Sequence, residues 1–249
     1  MPPLDQAVIA AFLVFSRVGA CMMAMPGLSS PRIPLHIRLF LAVACSLMLV
    51  PLVMAQLLPA TSAGPMALFR IIATEVAIGI LIGILARVYF WALQFMANVI
   101  AMAIGFSGAP AGAVEEAEPQ AAIASIVTFT ALLLFFVTDL HLEVFRALLS
   151  SYSSIPVDGL FDPGAALIDV TDAMSGAFIG TLRIAAPFVV FAIVVNVAIG
   201  LINKLTPTIP VYFISLPFVL AGGLTLFYFL APELLRLFTG ETAAHLRSF

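Results

Sequence analysis

The stretch that decides the fold class is residues 66–106, which read MALFRIIATEVAIGILIGILARVYFWALQFMANVIAMAIGF. Lipid offers the backbone no hydrogen-bond partners, so an apolar segment inside a bilayer satisfies its own N–H and C=O groups as a helix. About 40 helical residues at about 1.5 Å each would extend about 60 Å, twice the hydrocarbon thickness of a bilayer. We therefore expect a long helix that tilts, bends or projects beyond the membrane.

Small residues recur along this segment and indicate what it contacts. Gly79 and Gly83 are four residues apart in its first half, while its second half contains Ala97, Ala101 and Gly105. Small side chains let the backbones of membrane helices approach each other closely. The second half in particular is predicted to pack against protein rather than lipid.

Outward from this stretch, the remainder of the chain is equally apolar. Of its 249 residues, 63% are hydrophobic and 9% are charged, whereas a soluble domain is about 25% charged. The net charge of -3 is dispersed, and no cluster of Lys and Arg indicates nucleic-acid binding. The sequence predicts an all-α polytopic membrane protein with about six apolar helical segments. Besides the long segment, these cover about residues 6–25, 37–58, 120–149, 166–202 and 211–238.

A break rich in glycine and proline follows the long segment. Residues 107–119 read SGAPAGAVEEAEP, and both glycine and proline end helices. Three glutamates, Glu115, Glu116 and Glu118, make this part water-accessible at least part of the time. We therefore expect a central loop at about residues 105–119.

Charged residues inside the apolar runs need a physical reason, because each costs about 2.5–3.5 kcal/mol at the centre of a membrane helix. Arg70 and Arg87 lie near the ends of apolar stretches, where long side chains reach the interface. Arg17 and Glu75 lie deeper in their runs. We expect Arg17 and Glu75 to make polar contacts with another helix or with another subunit.

One cluster of titratable residues, in the run at 120–149, leaves several interpretations open. Asp139, His141 and Glu143 follow one another at intervals of two residues, so they do not share one face of a helix. This spacing argues against a metal site. A proton relay through His141 and a polar cap at the end of the run are the alternatives. The sequence contains no HExxH pair, GxSxG elbow or Walker loop. It therefore predicts no enzyme, no metal site and no cofactor.

A distinctive signature lies between the last two runs, where residues 197–217 read VAIGLINKLTPTIPVYFISLP. Asn203 and Lys204 end an apolar helix, Pro207 follows in the turn, and Pro217 lies in the next apolar run. Two further stretches share the pattern, namely Ser16-Arg17-Val18 with Pro26 after it, and Glu75 before Gly79 and Gly83 with Gly105-Phe106-Ser107 after them. Together these residues resemble the FliR/SctT family of type III secretion export apparatus proteins, over nearly the whole chain.

The resemblance implies a subunit of a membrane complex. Such a protein would assemble with FliP-like and FliQ-like subunits into a helical, cone-like channel, with long bent hairpins that are partly lifted out of the bilayer plane. FlhB-like and FlhA-like proteins would be neighbours, exported flagellar proteins would be substrates, and the location would be the bacterial inner membrane at the flagellar basal body. Residues 1–165 would be a FliP-like part, and residues 166–249 a FliQ-like hairpin with a C-terminal tail.

The resemblance also implies roles for individual residues. The middle loop of such proteins plugs the pore, and here that role falls on Gly105, Phe106, Ser107, Gly108, Ala109, Pro110, Ala111 and Gly112. The loop of the relatives is more aromatic and apolar, whereas this chain has three glutamates there, whose role stays open. Packing between helices or subunits is expected of Arg17, Glu75, Gly79, Gly83, Asn203, Lys204, Pro207 and Pro217.

Two functions from different classes fit these features. The first is a channel-forming export subunit that passes unfolded proteins and performs no covalent chemistry. The second is a proton-coupled secondary transporter, whose helices are typically interrupted, as Pro187, Pro217 and the Gly222-Gly223 pair suggest for the last two runs. A transporter of this kind predicts an internal inverted repeat, which the sequence does not contain.

Overall fold

The computed structural model describes residues 3–30, 33–105, 122–157 and 162–247. Within these ranges the chain forms helices and no strand, and five of the helices are individually long and apolar enough to cross a membrane. The predicted all-α polytopic membrane fold is thereby confirmed. The helices are α1 Leu4–Ala24, α2 Leu35–Thr61, α3 Pro65–Ala103, α4 Ala122–Val137, α5 Leu140–Ser154, α6 Pro163–Leu205 and α7 Val211–Arg247.

Proline and glycine define the turn between α1 and α2. The chain leaves α1 at Met25, and Gly27 then takes a φ of 86°, a conformation that costs glycine little. Helix α2 begins directly after Pro34, which cannot continue a preceding helix but suits the start of a new one. These local signals place α1 and α2 next to each other as an antiparallel hairpin.

The predicted apolar run at 120–149 is helical where it is described, but it consists of two helices with a bend between them rather than one continuous helix. Helices α4 and α5 are separated at Thr138 and Asp139, and the chain bends at this break. Asp139 has a φ of 59°, in the left-handed region that aspartate tolerates better than most side chains. Its carbonyl oxygen accepts a hydrogen bond of 2.9 Å from the N–H of Leu142, which starts α5.

The last predicted run, at about residues 211–238, was expected to be interrupted, but it forms one continuous helix, α7. Pro217 and the Gly222-Gly223 pair, which were expected to interrupt it, lie inside the helix, and α7 continues to Arg247 rather than ending near residue 238. Membrane helices tolerate proline because neighbouring groups satisfy the backbone carbonyl that it frees. Helix α6 likewise continues through Pro187.

The chain folds into two compact units. The first comprises Met1–Val88, Phe135–Met174 and Thr242–Phe249, and the second comprises Tyr89–Leu134 and Ser175–Glu241. Helices α3, α4, α6 and α7 each contribute residues to both units. The predicted division into residues 1–165 and 166–249 follows a different criterion, likeness to two other proteins, and it stays a prediction.

Candidate functional site

In the first unit, two glycines of α3 let this helix lie directly against α1. A Cβ atom on Gly79 would overlap the carbonyl oxygen of Arg17. A Cβ atom on Gly83 would lie 2.5 Å from the Cβ of Ala24 and 2.7 Å from the carbonyl oxygen of Cys21. The four-residue spacing of small residues therefore produces close backbone packing between α1 and α3, which we call the glycine seam.

One turn from the glycine seam, Arg17 and Glu75 form an ion pair with both side chains fully buried. Arg17 Nε donates to Glu75 Oε2 and Arg17 Nη2 donates to Glu75 Oε1, each at 2.7 Å. Arg17 Nη1 also donates to Ser151 Oγ at 2.9 Å, and Nη2 donates to the carbonyl oxygen of Ile155 at 3.4 Å. The guanidinium carbon lies 3.9 Å from the centre of the Tyr152 ring. Arg17 of α1 is thus joined to α3 and to the C-terminal end of α5.

The geometry of this cluster indicates a structural role. Two parallel hydrogen bonds between a guanidinium and a carboxylate fix direction as well as distance. Each nitrogen of the Arg17 guanidinium already has an acceptor, and each oxygen of Glu75 has a donor. The pair therefore sets how α1, α3 and α5 pack.

The expected plug residues lie almost entirely outside the described residues. The plug residues outside the described ranges are Phe106, Ser107, Gly108, Ala109, Pro110, Ala111 and Gly112. The three glutamates, Glu115, Glu116 and Glu118, also lie outside them. Gly105 is described, and it follows the end of α3 with a φ of 79°. A Cβ atom there would lie 3.7 Å from Leu216 and 3.9 Å from Val219, so the end of α3 contacts α7 within the second unit.

The predicted packing residues of the turn between α6 and α7 are separate from the ion pair. Asn203 and Lys204 lie in the last turn of α6, Pro207 follows, and Pro217 lies early in α7, with all four exposed. Lys204 suits the C-terminal end of a helix, where the helix dipole favours a positive charge. These side chains are therefore available to a partner surface in the isolated chain.

Of the cluster around His141, Glu143 takes part in a surface charge network, while Nδ1 of His141 is buried without a hydrogen-bond partner. Glu143 Oε1 accepts hydrogen bonds from Arg146 at 2.9 Å and from Arg247 at 3.3 Å. The two arginine side chains are 71% and 68% exposed, so this network contributes little to stability. In the described part of the chain, no group of three or more His, Cys, Asp and Glu residues is placed to hold a metal ion.

Two contacts of the buried cluster were missed by sequence reasoning. Ser151 and Tyr152 belong to the stretch SSYSS at residues 150–154, which is unusually rich in hydroxyl groups for the end of an apolar run. That composition is the one signal that could have singled them out. A hydroxyl group near a helix end can hydrogen-bond to the nearby backbone and needs no partner on another helix, so this signal is weak.

Known proteins show the same sequence pattern along most of the chain. The family model for bacterial export proteins, family 1, matches residues 8–244. The flagellar biosynthetic protein FliR of Caulobacter vibrioides is 32% identical over 221 residues, which cover 88% of this chain and 87% of that protein. FliR of Escherichia coli is 27% identical over 87% of this chain and 82% of its own length. The Yop proteins translocation protein T of Yersinia pestis is 27% identical over 82% and 79%. The chain therefore belongs to family 1 of the bacterial export proteins, the FliR/SctT family.

Proposed function

We propose that this chain is a channel-forming subunit of the flagellar type III secretion export gate in the bacterial inner membrane. It would pass unfolded export substrates, without covalent chemistry and without a cofactor. Membership of the FliR/SctT family supports the export role. The higher identity to the Caulobacter flagellar protein than to the Yop protein favours a flagellar system over an injectisome.

The observation that carries the proposal is how the chain uses its buried charge. Among the described residues, Arg17 and Glu75 are the buried charged side chains, and they satisfy each other. A proton-coupled transporter needs an intramembrane ionisable group that can bind its solute or its proton. A buried pair whose two charges bind each other suits a scaffold that holds helices together, which favours the export subunit over the transporter.

The exposed apolar helices support a role within a complex. Within the chain, 17% of an 18-residue apolar stretch of α6 is buried, and 6% of such a stretch of α7. The corresponding share for α1 is 44%. These helices are therefore free to contact FliP-like and FliQ-like subunits, with FlhB-like and FlhA-like proteins as further neighbours. In this arrangement residues 1–165 would act as the FliP-like part and residues 166–249 as the FliQ-like hairpin.

Deleting Gly105–Gly112 tests the channel role directly. We expect the complex to assemble at its normal yield while the membrane becomes several-fold more permeable to small solutes, because the segment would no longer fill the closed pore. Uptake of a small fluorescent or toxic solute by cells provides the measurement. As a control in the same loop, a variant with Glu115, Glu116 and Glu118 all changed to glutamine should stay closed. An unchanged uptake rate after the deletion would reject the plug.

The exposed turn between α6 and α7 provides a second test. Replacing Lys204 with glutamate is expected to reduce assembly and swimming, because it reverses a charge that faces a partner while leaving the fold of the chain intact. Exposed substitutions usually change stability by less than about 0.5 kcal/mol. Asn203→Ala should act in the same direction, and Thr208→Ala in the same turn is the matched control. The measurement is co-purification with the partner subunits together with the diameter of the swimming halo, and full swimming by both variants would remove this role.

A further inference from the structure

We propose that Gly223 of α7 is a positioning residue that seats Ile104 and thereby fixes where the chain leaves the end of α3. This inference rests on the proposed function, because the position of that end matters to pore closure only if the following loop acts there. Neither Gly223 nor Ile104 belongs to the residues that the family resemblance singled out. Both lie in the second unit, as does every contact used below.

The contact between Gly223 and Ile104 leaves no room for a side chain on α7. A Cβ atom on Gly223 would overlap the Cβ of Ile104, and it would lie 2.6 Å from Cγ2 and 3.1 Å from Cα of the same residue. Real Cβ atoms essentially never approach other atoms within 3.0 Å. Because Cβ and Cα move with the backbone, a side-chain rotation of Ile104 cannot relieve the overlap. Ile104 is itself fully buried, so it has no open space to move into.

The contact continues along one face of α7. Gly105 lies against Leu216, Val219 and Leu220, at 3.7 to 4.0 Å from its ideal Cβ position. Together with Gly223, these α7 residues repeat at intervals of three and four, which places them on one side of the helix. Gly105 ends α3 with its N–H donating to the carbonyl oxygen of Met102 at 3.1 Å. The last turn of α3 is therefore held at a defined position, and Gly105 has a φ of 79° directly after it.

Three other glycines of the second unit, Gly222, Gly200 and Gly240, show how this contact differs from ordinary helix packing. A Cβ atom on the adjacent Gly222 would meet only the ring of Phe191, at 3.2 to 3.3 Å, and a ring at that distance can shift. Gly200 and Gly240 have no atom within 4 Å of their ideal Cβ positions. A glycine in the interior of a helix destabilises it relative to alanine. The close approach of Ile104 is the specific reason for a glycine at position 223.

The test uses the full chain in its membrane complex with the partner subunits. Gly223→Ala should raise the uptake of a small solute several-fold while the yield of purified complex stays normal. Gly240→Ala, on the same helix but in open space, should change neither quantity. Ile104→Ala removes the seated side chain without adding atoms, so it tests the same contact with no overlap, and it should also raise uptake.

The deletion of Gly105–Gly112 separates the two ways in which the inference can fail. If the deletion opens the pore but Gly223→Ala and Ile104→Ala stay as closed as the wild type, the positioning role is overturned and the channel role survives. If the deletion itself leaves uptake unchanged, both are overturned. If Gly223→Ala and Ile104→Ala lower the complex yield in proportion to any change in uptake, the contact is packing alone and the positioning role is again overturned.

Discussion

The free energy of unfolding will fall by about 3–5 kcal/mol when Glu75 is replaced by alanine, because the Arg17 guanidinium then remains buried without a counter-charge. The Arg17 side chain has no exposed surface, so water cannot replace the lost carboxylate. Its remaining contacts, with Ser151, Ile155 and Tyr152, involve neutral groups. A denaturation series of the purified chain in mild detergent, followed by circular dichroism, measures the change.

A surface pair provides the matched control for this prediction. Arg146 donates to Glu143 at 2.9 Å, close to the distances within the buried pair, but its side chain is 71% exposed. Arg146→Ala should therefore cost no more than about 1 kcal/mol. If Glu75→Ala proves no more damaging than Arg146→Ala, burial does not govern the strength of the Arg17–Glu75 pair.

A double variant distinguishes the cost of leaving a buried charge unpaired from the loss of the ion pair itself. Changing Arg17 to methionine and Glu75 to leucine together removes both charges and roughly keeps the volume, and such replacements of buried pairs are often neutral or stabilising. The double variant should thus recover much of the stability that Glu75→Ala loses. If the changes in unfolding free energy of Arg17→Met and Glu75→Leu, measured singly, add up to that of the double variant, the two side chains do not interact and this prediction is wrong.

The sequence predicted most of the helical fold because the bilayer permits few alternatives for an apolar segment. The run expected at about residues 37–58 is helix Leu35–Thr61, and the run expected at 166–202 is helix Pro163–Leu205. The break at Asp139 was not foreseen, because neither glycine nor proline marks it. The extension of α7 to Arg247 was missed because hydropathy falls after about residue 238, while helix formation does not depend on hydropathy.

Four members of the candidate site were predictable, whereas its geometry and the contributions of Ser151 and Tyr152 were not. The cost of burying charge singled out Arg17 and Glu75, and the four-residue spacing singled out Gly79 and Gly83. That Arg17 pairs with Glu75 could not be deduced, because 58 residues separate them along the chain and other charges were available. The three-dimensional packing of α1 against α3 brings these positions together.

The second large effect is expected at the glycine seam, where Gly79→Ala should destabilise the chain by about 1–3 kcal/mol. Alanine would normally stabilise a helix by about 1 kcal/mol relative to glycine, so the intrinsic preference acts in the opposite direction. The added methyl group would overlap the carbonyl oxygen of Arg17 and lie 2.9 Å from the Cβ of Ala20. Because a carbonyl oxygen belongs to the backbone, relief requires α1 and α3 to separate, which also lengthens the hydrogen bonds between Arg17 and Glu75 one turn away.

The sign of the change is the decisive outcome of this experiment. Gly200→Ala on α6 makes the same chemical change where no atom lies within 4 Å, so it should leave stability unchanged or raise it. Measured in the same denaturation series, Gly79→Ala should therefore lower the free energy of unfolding, whereas Gly200→Ala should not lower it. A stabilising Gly79→Ala would mean that α1 and α3 are not in backbone contact at the glycine seam. The buried ion pair would then have to hold the two helices without the close approach that the glycines allow.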